Sequence, residues 1–413
     1  MNFYVENGEG IPRFVYRNLE KWLAACKSAA TRNVLVEEFC EFVAELQLTG
    51  DWQKMKWCLP EHRADSAFTG EERAQLEQAL QQKRRRRNDR LLEVYPHCSD
   101  EFSADTAFLD AAFGSQRFEL IDRSTSIFTI GSCFANNIAK YLQQQQFQVT
   151  AFVQAEDLNS PFSNAKLLAV CAATPALRRA YVEYWVGNLH PAATKAELDK
   201  SIEHELLRLE QVIAAIRASE FLVITCGNVL DYFMPQQTTE FEVGPPVAPK
   251  FLFVSHSEDI GLRGQQTGKL KQAGAEFRVG SYAEVTQALD SLYRAIRTIN
   301  PHAHVLLTLS PIPIDSAIGV HNPRKLGSVE IDCISKSLLR AALNDLMESR
   351  REDPHLSYFP SFEIVRWIAP CMNGAVFGSD DAASRHVSQN ILTGVYRYFV
   401  HKYVKSAAAE DIA

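Results

Sequence analysis

No two of the nine cysteines stand in a Cys-x-x-Cys pair; they fall at positions 26, 40, 58, 98, 133, 171, 226, 333 and 371. That spacing argues against a zinc ribbon or a thioredoxin-type redox site. The odd count and wide separation suit reduced thiols, so a cytoplasmic protein is expected. No apolar run approaches the roughly 18 residues that a membrane span needs. The opening stretch, MNFYVENGEG, has no basic segment and no apolar segment, so no secretory signal is expected. There is no internal repeat. Nor is there a surplus of positive charge: 43 Lys and Arg face 50 Asp and Glu, a net charge of −7, which disfavours nucleic acid as the main partner.

What is present fits a soluble globular protein, 46% hydrophobic and 23% charged. At 413 residues the chain is long for one ordinary core, and two regions are expected. Residues 1–115 read as helical. NLEKWLAACKSAA and VLVEEFCEFVAEL place Leu19, Trp22, Leu23 and Cys26, then Val36, Phe39, Val43 and Leu46, at spacings of three and four. A third helix is expected over TGEERAQLEQALQQKRRRRNDRLLEVY, with Thr69 and Glu72 as a capping box. HCSDEFSADTAF loses periodicity and reads as a link.

From about residue 124 the pattern becomes strand, helix, strand. SIFTI, FQVTAFV, FLVITC and HVLLTL are apolar almost throughout, as strands covered on both faces of a parallel sheet are. Amphipathic helices led by Leu198 and Val285 run into the third and fourth of them. This alternation predicts a three-layer α/β domain over 116–406. The Pro-, Gln- and Thr-rich stretch 234–249 reads as a surface loop.

Ligands of a parallel sheet gather at the carboxyl ends of its strands. Three such ends carry small or polar residues: Gly131-Ser132-Cys133, Cys226-Gly227-Asn228, and Thr308, Ser310 and Pro311. A fourth cluster, GSDDAASRHVS, precedes the last helix, expected over 389–403. Cys133 at a helix start would meet unpaired N–H groups and the positive end of the helix dipole, which favour a thiolate and an oxyanion. His386 is a candidate base, with Asp381 or Asp380 to orient its ring. Asn228 is a candidate oxyanion donor. Each residue also has a plain reading: Cys133 as a buried small side chain, Ser132 as a helix cap, His386 as a surface residue, and Asp380 and Asp381 as charges favouring a helix start.

Taken together these blocks resemble a known family. GSCFA at 131–135 resembles the signature of the GSCFA family, a branch of the SGNH (GDSL-like) hydrolase superfamily. FLVITCGN (221–228), LLTLSPIPI (306–314), SKSLLR (335–340), YFPSFEIV (358–365) and RHVS (385–388) resemble further blocks of it, in order, over residues 124–404. The resemblance implies a three-layer, flavodoxin-like parallel sheet. It puts the nucleophile position on Cys133, with Ser132 in the place of the superfamily's Asp, and the basic His on His386. The superfamily's orienting Asp lies three residues before that His, where this chain has Ala383; Asp381 lies five before. Gly227 and Asn228 are adjacent, where the superfamily separates them by one residue. Its second-block Gly has no counterpart, and LNSPFSNA (158–165) occupies that place, which makes Asn159 and the N–H groups of Ser160 and Ser163 candidate substitutes. His256 and Ser310 are further substrate-side candidates.

A cysteine nucleophile forms a thioester intermediate. Exchange with a thioester donor is nearly thermoneutral, whereas forming an acyl-cysteine from an ordinary ester is uphill. The expected function is therefore acyl transfer through an acyl-Cys133 intermediate. The donor would be acyl-CoA or an acylated carrier protein, the acceptor an alcohol, an amine or water. Two alternatives stay open: a Ser132-dependent esterase or deacetylase acting on an acylated sugar or lipid, and a non-catalytic binding protein on the same frame. No metal or organic cofactor is implied. The run Lys83-Arg84-Arg85-Arg86-Arg87 is either a solvated helix end or a dock for an acidic carrier protein or CoA phosphates.

Overall fold

Five short apolar segments form one parallel sheet: β3 (Ser126–Gly131), β4 (Gln148–Val153), β5 (Phe221–Cys226), β8 (His304–Leu309) and β9 (Leu356–Phe359). Their order is β4-β3-β5-β8-β9. The structure is a computed structural model that describes residues 4–6, 12–14, 28–36, 74, 103–131, 133–153, 159–189, 193–235, 243–252, 268, 270–271, 274–314, 316–372, 374–380 and 384–409. The chain divides into two compact units, Met1–Gln116 and Arg117–Ala413.

Within the first unit, two strands, β1 (Tyr4–Glu6) and β2 (Pro12–Phe14), pair antiparallel where only helix was expected. The Asn7-Gly8-Glu9-Gly10 sequence between them is the hairpin signal that the helical reading passed over. Residues 29–36 are helical and bury Leu35 and Val36. The segment read as a link ends inside the first turn of a helix, α1 (Thr106–Phe113). Asp105 caps it, accepting the Phe108 N–H at 2.8 Å. Of the expected third helix only residue 74 is described, and it is helical; the Thr69–Glu72 capping box and the cationic run Lys83–Arg87 lie outside the described residues.

In the second unit every residue of β5 and β8 is buried, because helices cover both faces of the sheet. Side chains alternate between those faces. Phe128, Ile130, Leu222, Ile224, Val305 and Leu307 join one core with α3 (Pro161–Ala172), α4 (Pro175–Leu189), α5 (Lys195–Ala218), α6 (Tyr282–Ile299) and α7 (Ser328–Ser349). On the other face, α2 (Cys133–Gln144) packs against β3, β4 and β5. Beside it runs α8 (Gln389–Tyr403). Phe399 and Tyr403 of α8 meet Phe221 and Phe359 edge to face, and Tyr396 stacks on Tyr141 of α2 at 4.8 Å. The alternation predicts this three-layer arrangement. The two long helices start at capping boxes, Thr194/Glu197 and Ser281/Glu284.

The stretch expected as a surface loop is partly interior. After β6 (Leu230–Phe233) the chain returns to bridge Val247 to Phe233. Val247, Ala248 and Phe251 are buried there. This return brings Lys250 to the buried carboxylate of Asp231, Nζ to Oδ1 3.1 Å. Both charges are almost wholly shielded from water, so the pair also needs hydrogen bonds. Ser160 and Ser163 supply them, donating their hydroxyls to Asp231 Oδ2. β6 itself pairs with β7 (Glu276–Val279) in a two-stranded antiparallel ladder.

His304 opens β8 at the amino-terminal edge of the sheet. Its ring stacks on Phe221 at 5.2 Å, and Nε2 lies 2.7 Å from the Ser357 hydroxyl. Burial, reinforced by His355 and Arg297, lowers its pKa to about 4. Above about pH 6.5 both the folded and the unfolded imidazole are neutral, and the shift has no effect. Between pH 6.5 and 4 the unfolded chain binds a proton that the folded one refuses, so stability falls as pH falls, by at most about 1.4 kcal/mol per pH unit. Urea midpoints at pH 7.5 and pH 5.0 are expected to differ less in His304→Gln than in the wild type. An equal difference in both would remove His304 as the group responsible.

Candidate functional site

The chain leaves β3 through α2 toward β4 and then crosses back, over the opposite face, to β5. In an open parallel sheet, a reversal of this kind leaves a crevice between the two diverging strands at their carboxyl ends. Gly131 closes β3 and Cys133 opens α2. The approach there is too tight for a side chain. A Cβ on Gly131 would lie 2.7 Å from the Ala135 Cβ and 2.8 Å from the Thr225 Cβ, and φ is +156°. A glycine thus lets α2 start directly against β5, and the first-turn N–H groups of α2, which have no intrahelical acceptor, lie at the crevice. The backbone places Cys133 at the first position of that helix. Its side chain, and all of Ser132, lie outside the described residues.

Across the crevice, β5 ends in Cys226, Gly227 and Asn228. Asn159, at the entry to α3, accepts both the Gly227 N–H (3.0 Å) and the Asn228 N–H (3.3 Å) on its backbone carbonyl. The side chain of Asn228 is buried and accepts the Leu230 N–H through Oδ1 at 2.9 Å. Ser160 caps α3: its Oγ accepts the Ser163 N–H at 2.9 Å. With its hydroxyl also given to Asp231, the side chain of Ser160 is committed to the scaffold, and so is the Ser163 N–H that was a candidate donor. Ser310 is likewise structural. It is 1% exposed, its N–H bonds to the Cys226 carbonyl, and its Oγ accepts the Ile312 N–H. Cys226 is fully buried, and desolvation pushes its thiol up to about 12 despite the nearby Lys336. Cys171 is pushed up to about 12 in the same way. Neither suits a thiolate role.

Two residues that sequence reasoning quoted without assigning a role turn out to organise the strand ends. Both come from the Ser-Lys pair of α7. The Ser335 hydroxyl accepts the Val229 N–H at 2.9 Å. Lys336 is buried and its ammonium donates to the carbonyls of Gly227 and, at 2.9 Å, Ser310. One cation thereby ties together the chain leaving β5 and the chain leaving β8. A lysine and a serine at consecutive positions on the buried side of an amphipathic helix were the available signal, since lysine is almost never fully buried without a role.

His386 and Asp380 belong to a loop after β9, stitched by Gly378 N–H to His386 O (2.9 Å), Ser388 N–H to Val376 O (2.8 Å) and a bridge between Phe377 and Val387. That loop meets α2. A cavity of about 360 Å³ is lined by Phe134, Asn137 and Lys140 of α2, Ile312 beyond β8, and Asp380 and His386. Asp380 is occupied as a cap, accepting the Gln389 N–H of α8 at 2.6 Å and the Ser379 hydroxyl at 3.0 Å. This is the plain reading that its position also allowed. Asp381 and His256 lie outside the described residues. A larger groove, about 670 Å³, runs along α7 beside Phe362 and Trp367. Its guanidinium groups are engaged, Arg366 with Asp332 and Arg340 with Glu363, and neither His386 nor any residue of α2 lines it.

Replacing Lys336 with methionine removes the cation and leaves two buried carbonyls unpaired. An unfolding free energy lower by about 2–4 kcal/mol is expected in urea titration. A loss below about 0.5 kcal/mol would show that the two strand ends do not depend on it.

No curated protein matches the sequence. Residues 126–399, from the first residue of β3 to the third turn of α8, match the GSCFA family. The match takes in α2 with its GSCFA pentapeptide, the β5 end, the Ser-Lys pair and the His386 loop. It covers about two-thirds of the chain, and the chain belongs to the GSCFA family.

Proposed function

We propose that this chain is an acyl-transfer enzyme in which Cys133 carries the acyl group and His386 moves the protons. The observation that carries this reading is the shared cavity: the helix that Cys133 opens and the loop that holds His386 line the same 360 Å³ space. The helix start favours a thiolate there and offers N–H groups to developing negative charge.

The Cys133 thiol gives its proton to His386 and its sulfur attacks the acyl carbonyl carbon of a thioester, while the carbonyl π pair moves onto oxygen. That pair then returns and the donor thiolate leaves, protonated by the imidazolium of His386. An alcohol, amine or water next gives its proton to His386 and attacks the acyl-cysteine, releasing Cys133. A thioester donor, acyl-CoA or an acylated carrier protein, makes the first half nearly thermoneutral. Because Asp380 is used to cap α8, Asp381 is the carboxylate that this reading leaves to orient His386.

Incubation with a panel of acyl-CoAs and acylated carrier proteins, read by intact-protein mass spectrometry, tests the reading. The wild type and Ser132→Ala are expected to gain the mass of one acyl group, and Cys133→Ala none. His386→Ala is expected to acylate about 10²–10⁴ times more slowly. Acylation that persists in Cys133→Ala and vanishes in Ser132→Ala would move the nucleophile to Ser132. No adduct and no turnover in the wild type would sink the covalent reading.

A further inference from the structure

The polar face of α2 is partly roofed. Counted from position 133, Asn136, Asn137 and Lys140 follow at steps of three, four and seven, which place all of them on one stripe of the helix. Phe134, Ala135, Ile138, Ala139 and Leu142 form the opposite, buried face. A polar stripe of this kind is ordinarily solvated. Here Ile312 and the His386 loop stand over it, and the three polar residues line the 360 Å³ cavity between. The stripe therefore runs from the head of α2, which Cys133 opens, along the cavity wall.

The side chains on that wall are idle in the scaffold. Asn136 and Asn137 are half-buried and Lys140 is exposed at the rim. None of the three has a side-chain hydrogen bond or ion pair among the described residues. Adjacent asparagines are a poor filling for a helix face that need only be wet, because their amides compete with the backbone for hydrogen bonds. Asp380 lines the same cavity, but both its oxygens are engaged, Oδ2 by the Gln389 N–H at 2.6 Å and Oδ1 by the Ser379 hydroxyl at 3.0 Å. The Lys140 ammonium is the charge on this wall that the scaffold leaves unanswered. Two amides and a cation, all free to donate, suit an anion.

The distance from position 133 limits how that anion is carried. Seven residues of helix advance about 10 Å, and every Cα–Cβ bond tilts toward the helix N-terminus, which brings the Lys140 side chain back toward position 133. An acyl chain of about four carbons closes a gap of that size.

We infer that the acyl group taken up by Cys133 is a short dicarboxylic one, whose far carboxylate is held by the Lys140 ammonium and the Asn137 amide. This rests on the reading of Cys133 as nucleophile. The bonds made and broken are those of the thioester exchange above: sulfur joins the acyl carbon, the donor thiolate leaves with the proton that His386 took from Cys133, and the far carboxylate only anchors the chain.

The test acylates the full chain with the N-acetylcysteamine thioesters of butyrate and succinate, which have equal chain lengths and end in a methyl or a carboxylate. Peptide mass spectrometry reads the rate at Cys133, and the exposed Cys333 in the same molecules reports uncatalysed acylation by each donor. After that correction the wild type is expected to favour the succinyl donor by about 5–20-fold, the worth of a charge-assisted hydrogen bond discounted for solvent. In Lys140→Met the preference is expected to vanish, and in Lys140→Glu to reverse. Lys140 is exposed, so neither change disturbs the core. A wild type that takes both groups equally, or a preference that survives in Lys140→Met, overturns the carboxylate subsite and leaves Cys133 as nucleophile. Acylation at Cys133 no faster than at Cys333 with either donor overturns both readings.

Discussion

Two strand ends approach each other where there is no room for a side chain, and the candidate site depends on that closeness. At Gly131 a methyl group would strike both the first turn of α2 and β5. At Gly227 it would strike Asn159. Each glycine lets backbone rather than side chain form the wall of the crevice. Gly131 lets α2 begin against β5, and Gly227 lets the loop entering α3 lie against the end of β5. Glycine is the only residue without the Cβ that would keep these elements apart.

Closeness alone would leave the crevice soft, and the scaffold spends buried charge to stiffen it. Lys336 draws in the carbonyls beyond β5 and β8. The Asp231–Lys250 pair, with Ser160 and Ser163, pins the start of α3 to β6. Buried ion pairs add little to net stability compared with well-packed apolar side chains. Their effect here is geometric: each fixes a loop that packing would leave several ways to lie. All of them occur at the carboxyl ends of the strands or just beyond, while the middle of the sheet is held by apolar side chains.

Four of the five strands were legible in the sequence because SIFTI, FQVTAFV, FLVITC and HVLLTL are apolar runs of strand length, and the helices between them are amphipathic. The last helix has the bounds that periodicity gives it, 389–403. The amino-terminal hairpin was missed because three-residue strands carry no period to read. The interior course of Val247–Phe251 was hidden because a Pro-rich composition reads as surface until the ion pair it completes is known. At the site, strand ends and the order of blocks brought His386 to the neighbourhood of α2. They could not assign Ser160, Ser310 or Asp380 to the scaffold, because a hydroxyl or carboxylate looks the same in sequence whether it caps a helix or faces a substrate.

The segment that enters the second unit lies against the one that leaves it. The Phe118 and Leu120 N–H groups bond to the carbonyls of Lys402 and Tyr403, Ile121 bridges Val404, and the Lys405 N–H returns to Ile121. Phe118 stacks on Tyr403 at 5.1 Å beside His304, at the amino-terminal ends of the strands. The domain is topologically a closed ring with a single gate, and the gate is at the edge of the sheet opposite the crevice. Its two ends could be joined by a few residues and the ring cut at another exposed turn. Sequence can likewise be gained, lost or exchanged on either side of the gate during evolution without being threaded past the strand ends where the chemistry is proposed.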